Sequence, residues 1–200
     1  MRSVILLIFF AGNVQRGSTQ THAGDVKPQK QKGNLNCFYK QKYSSAQRSG
    51  FYPFNSETIK LVSFRYHASN YPIKGDAILV DSLIDMKTLT TAQINQLTDI
   101  FYNNFFKAQP NYGVSTQCFI PRNAILFFDK SGRLSNYILI CFHCDTHRES
   151  SKKINLGDDC FQKMQKLRQF FVSLGIEFGT DKAVQKYPGE TFEEMVVPKN

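Results

Sequence analysis

Two cysteines, two histidines and two carboxylates fall within one short stretch, Cys141-Phe-His143-Cys144-Asp145-Thr-His147-Arg-Glu149. Three chemistries use such residues: thiol redox exchange, metal binding and structural disulfide formation. A catalytic Cys-x-x-Cys pair works by opening a helix, whose amides and dipole favour the attacking thiolate. The residues after Cys144, "DTHRESSKKINLGDD", are too polar and aperiodic for that helix. For metal, an extended chain puts His143, Asp145, His147 and Glu149 on one face, because side chains alternate with period two. Imidazoles and carboxylates would suit zinc. A closed four-thiolate zinc site from Cys118, Cys141, Cys144 and Cys160 is the alternative metal set, favoured if the chain stays in a reducing compartment. Ser150 and Ser151 near His147 lack the turn context of a nucleophile, Arg122 is better explained by pairing with an acid, and no phosphate-cradling glycine loop occurs.

The elements that must position these residues are written in the hydrophobic pattern. "TIKLVSFRYH" (58–67) and "DAILVD" (76–81) are rich in β-branched and aromatic residues and predict two strands. In "TTAQINQLTDIFYNNFF" (90–106), Ile94, Leu97, Phe101 and Phe105 share one helical face, and Thr90 with Gln93 has the spacing of a capping box. "NAILFFD" and "LSNYILICF" predict a hairpin closed by "KSGR", where Gly132 supplies the positive φ of the turn. A second helix from about Asp158 presents Cys160, Met164, Leu167, Phe171 and Leu174 on one face, with Gly175 as its stop. The order ββαββα predicts an α+β fold: a mainly antiparallel sheet of about four strands with two helices packed on one face.

This map gives each cysteine an address. Hairpin register sets Cys118 across from position 145 and beside Cys144. Cys141 points to the other sheet face if the strand stays extended, and Cys160 lies on the helix face that covers the sheet. Cys118–Cys144 and Cys141–Cys160 are therefore the disulfide candidates, and Cys37 is left as a candidate free thiol. The four domain cysteines permit three pairings, so connectivity stays open at this level.

Composition sets the wider frame. The 200 residues carry a net charge of +9, with 18 Phe, 9 Tyr and no Trp. The first fifty residues hold +7 of that charge, which leaves the rest close to neutral and argues for a solvated basic tail rather than a phosphate-binding face. Specific nucleic-acid binding is not expected. Arg2 followed by the apolar run Val4 to Gly12 has the form of a signal-peptide core and is too short to span a bilayer. The expected organisation is an apolar export segment (1–12), a basic polar linker (13–50), one α+β domain (51–180) and a polar tail (181–200), with no transmembrane span in the mature chain. An exported chain meets oxidants, which favours disulfides over metal or redox chemistry at Cys141 to Glu149.

The motifs Cys118-x-x-Pro-Arg, Cys141-Phe-x-Cys144 and Gly157-Asp-x-Cys160 together resemble those of uncharacterised exported proteins from Bacteroidetes-type bacteria. That resemblance covers the last third to half of the chain and implies a bacterial envelope address, with no activity or catalytic residue attached. The expectation is an exported, periplasmic or secreted binding domain stabilised by disulfides, without a cofactor, whose partner is an undefined ligand or envelope protein. A zinc-binding or thiol-redox protein is the alternative.

Overall fold

The computed structural model describes residues 35–66, 73–74, 77–78, 82–108, 110 and 118–181. The expected export segment and nearly all of the polar tail lie outside them. The chain order is β1 (Cys37–Tyr39), α1 (Ser45–Ser49), β2 (Thr58–Phe64), β3 (Ile73–Lys74), β4 (Ala77–Ile78), β5 (Leu83–Thr88), α2 (Thr91–Tyr102), β6 (Asn104–Phe106), β7 (Asn123–Phe128), β8 (Leu134–Cys141), β9 (Thr146–Glu149) and α3 (Phe161–Ser173). The fold is α+β. Its main sheet has five antiparallel strands in the order β5-β2-β7-β8-β9, and β1 pairs with β6 in a separate two-stranded ribbon.

Period-two alternation gives the sheet two apolar faces. Ile59, Leu61, Ile125, Phe127, Ile138 and Ile140 meet Leu97 and Phe101 of α2 and Met164, Leu167 and Phe171 of α3 in the main core. On the opposite face, Val62, Phe64, Ala124, Leu126 and Leu134 form a smaller cluster. β2 and β7 carry both sets, which explains their nearly unbroken apolar sequences.

The local signals act where expected. Thr90 and Gln93 form a reciprocal capping box at the start of α2. Gly175 follows α3 at φ 79°, and the Ile176 amide reaches back to the Phe171 carbonyl at 3.1 Å. Gly132 turns the β7–β8 hairpin at φ 77°.

Three expectations change. The sheet has five strands rather than about four, because polar β9 adds to one edge and β5 to the other. An edge strand with one open side tolerates "THRE" without apolar alternation. Of the strand expected over 76–81, Ala77 and Ile78 pair with Ile73 and Lys74 instead of joining the main sheet. Helix α2 stops at Tyr102, four residues short of the expected end. There the Asn103 amide bonds the Asp99 carbonyl, its side chain bonds the Asp99 carboxylate at 2.6 Å, and the next three residues extend to pair with β1.

The described structure also includes residues well before Phe51, where the linker was expected to end. Ser44 and Gln47 cap α1 reciprocally. Arg48 is 3% exposed: its guanidinium donates to the Tyr43 carbonyl, the Asn95 side chain and the Thr98 hydroxyl, and lies 3.5 Å from the Asp99 carboxylate. A cation counted in sequence as part of a solvated tail is thus buried, because α2 offers enough acceptors to offset its desolvation. No helix among the described residues is long and apolar enough to cross a membrane.

Candidate functional site

Strand β8 ends at Cys141, and residues 142–145 turn back into β9, with Asp145 in the left-handed region at φ 49°. Thr146 pairs with Cys141 across this turn. The turn breaks the continuous extended segment on which the four-residue polar edge depended. His143 and Asp145 stay in the turn, while His147 and Glu149 enter the strand.

The cysteines are bonded as Cys118–Cys144 and Cys37–Cys160, and Cys141 is a buried free cysteine. The first bridge has the hairpin-based pairing. The second takes Cys160 away from Cys141 and gives Cys37 a partner. Register supplies the reason. Asn123 faces Ile140 and Ile125 faces Ile138, so Ile138 and Ile140 point to the helix-covered face and Cys141, one residue on, points away from it. Cys160 caps the start of that helix and is reached instead by β1, which is anchored there by the Cys37 amide on Gln162 (2.6 Å) and the Phe161 amide on the Leu35 carbonyl (3.0 Å).

Cys141 is nonetheless not isolated. Its sulfur lies 2.8 Å from Cys144 Sγ and accepts from the backbone amides of Ile120 and Cys144, each at 3.4 Å. Burial pushes its thiol up from the ordinary value, against the opposing pull of these amides and of Arg122. Cys118, His143 and Cys144 each bring a donor atom within 4.8 Å of the others. Those donors suit a soft cation only when the Cys118–Cys144 bond is reduced, since thiolates are the ligands.

On β9, His147 Nε2 lies 2.9 Å from Glu149 and 3.8 Å from Asp159, which precedes α3. Burial opposes the imidazolium, but the Glu149 hydrogen bond and the Asp159 charge outweigh it, so the His147 pKa is raised; Lys163 acts against it. Glu149 is lowered by the same bond. The stability from His147 is full below its ordinary 6.5 and is lost as pH rises through the raised value; that from Glu149 is present above its ordinary 4.5 and is lost as pH falls through the lowered value. His147→Gln is therefore expected to lower the urea midpoint most between those two ordinary values, and by far less near about pH 9. A midpoint difference that stays constant with pH would contradict this pairing.

A further site was not visible in sequence. An open groove of about 730 Å³ is walled by β6 and by the corner at Phe51 and Tyr52, with Lys42 and Lys153 on its lining. Tyr43 meets Phe51, and Phe51 meets Tyr102, edge to face at 5.1 and 4.8 Å between ring centroids, which presents ring surface in fixed orientations. Lys42 Nζ lies 5.9 Å from the Phe105 centroid. The Phe106 amide donates to Asp158 at 2.9 Å, tying β6 to the start of α3. Beneath it, Lys163 donates to the Phe101 and Leu156 carbonyls, both at 2.9 Å, and so satisfies the end of α2. Burial lowers its pKa to about 8. Aromatic clustering at "FYPF" marked one wall of this groove, but the other wall needs the β1–β6 pairing, which no local pattern announces.

Comparison with protein families, curated proteins and solved structures finds no match to this chain.

Proposed function

We propose that this protein is an exported, disulfide-stabilised binding domain of a bacterial envelope, and that its groove takes an anionic saccharide. The observation that carries the reading is the lining: Phe51, Tyr52 and Phe105 flanked by Lys42 and Lys153. Ring faces stack on the apolar faces of sugars, and ammonium groups pair with carboxylates at the rim, where desolvation is slight. Among the described residues that line the groove, Asp158 is the sole carboxylate, and His, Cys and Ser do not occur. That set of rings and charged groups can bind and orient a ligand. Export is supported by the apolar segment after Arg2 and by two disulfides, which persist in oxidising compartments. The motif resemblance to exported Bacteroidetes-type proteins supports the same address.

Because the chain has no Trp, tyrosine emission can report on the groove. Titration with a uronic-acid oligosaccharide is expected to saturate. Tyr52→Ala and Lys42→Ala are each expected to weaken binding about tenfold, matching about 1.4 kcal/mol for one stacked or paired contact. Absence of saturation at millimolar saccharide, or affinities unchanged in both folded variants, would reject the reading.

A further inference from the structure

We propose that Cys118, Cys141 and Cys144 form a three-sulfur exchange site in which the disulfide moves from Cys118–Cys144 to Cys141–Cys144, transferring the free thiol to Cys118. Cys141 Sγ lies within reach of the bridge, 2.8 Å from Cys144 Sγ, while Cys144 is bonded to Cys118. Two thiolates on one tetrahedral zinc, with bonds of about 2.3 Å, stand about 3.8 Å apart, so the Cys141–Cys144 contact is too close for a shared metal.

The step is balanced without an added oxidant. Cys141 gives up its proton to water, and its thiolate attacks Cys144 Sγ. The Cys141–Cys144 bond forms as the Cys144–Cys118 bond breaks, and the electron pair leaves on Cys118. The amides of Ile120 and Cys144 already point at the attacking sulfur. The leaving Cys118 thiolate takes its proton from water, with the His143 imidazole within 4.8 Å of the Cys118 and Cys144 sulfurs. Arg122 favours the Cys141 thiolate. One disulfide and one thiol exist before and after.

Exchange changes what the solvent meets. Cys141 is 1% exposed, whereas Cys118 is only half-buried. The fold thus holds a reducing equivalent in its interior and can release it at the surface as a Cys118 thiol, open to an electrophile.

The test uses the intact chain, purified without reductant and treated with iodoacetamide under native conditions from about pH 7 to 9, then digested unreduced and mapped by mass. The expected product carries label on Cys118, with Cys141 linked to Cys144 and Cys37 still linked to Cys160. Cys141→Ser should abolish the Cys118 label. In Cys118→Ser, where no Cys118–Cys144 bond remains to exchange, air oxidation should join Cys141 and Cys144, a loss of two hydrogens or about 2 mass units from the dithiol. Label confined to Cys141, Cys118 label that persists in Cys141→Ser, a free dithiol in Cys118→Ser, or three labelled thiols accompanied by stoichiometric zinc would each overturn the proposal.

Discussion

Gly179→Ala is expected to destabilise the fold by about 2–5 kcal/mol, the sum of about 1–2 for a left-handed non-glycine residue and about 1–3 for overpacking. Gly179 sits at φ 76°, and a Cβ there would lie 2.4 Å from Arg122 Cβ and 2.8 Å from Asn123 Oδ1. Neither neighbour can step aside. Arg122 Cβ is fixed to the backbone entering β7, and Asn123 Nδ2 is engaged with the Phe178 carbonyl at 2.9 Å. The segment after α3 would have to lift, and its other anchors, Ile176 at 1% and Thr180 at 6% exposure, would lift with it. Gly132→Ala is the control. Its φ is 77°, but a Cβ there meets nothing within 4 Å, so only the conformational cost of about 1–2 kcal/mol applies. Urea denaturation of both variants measures the difference, and equal midpoints would show that the close approach at Arg122 is relieved without cost.

Removing the long-range bridge with Cys37→Ser and Cys160→Ser together is expected to cost about 3–5 kcal/mol, because the bond closes a loop long enough for the chain-entropy effect to be large. The bonded residues are 123 apart in sequence. Unlike a loss of core packing, the damage should be local in the native state. The bridge holds β1 at the start of α3, and β1 in turn pairs with β6, a wall of the groove. Hydrogen exchange should therefore accelerate first at Lys40, whose amide donates to the Asn103 carbonyl at 3.0 Å, while protection along β7 and β8 follows global stability. A loss below about 1 kcal/mol would show that the reduced chain is already held by its other contacts. Cys118–Cys144 spans only 26 residues against 123 for Cys37–Cys160, so losing it in Cys118→Ser frees less chain entropy and should cost less than the double variant.

The residues that could be read from sequence are those whose role is set within a few positions. The Thr90–Gln93 cap, the Gly132 turn, the Gly175 stop and the β7–β8 register follow from local conformational preference and period-two alternation, and that register also brought Cys118 to Cys144. Where partners are distant, the same reasoning failed in specific ways. Phe105 fits the face of α2 by spacing, yet Asn103 ends the helix because β1 offers Asn104–Phe106 a ladder. Arg48 reads as tail charge, yet α2 surrounds it with acceptors. β9 reads as a solvated loop, since an edge strand can form without an apolar face.

By itself, then, the sequence determined an α+β chain with an apolar sheet, two amphipathic covering helices and cysteines in reach of bonding, because burial and backbone preference act on neighbouring residues. Tertiary structure alone decided which cysteine remained free. One residue's difference in pleat direction turns Cys141 from the helix that carries Cys160 toward Cys144, and a β1–β6 ladder with no local signature delivers Cys37 to the vacated partner. Sulfur pairing depends on separations of a few ångströms between segments more than a hundred residues apart, and only the packed chain sets those distances.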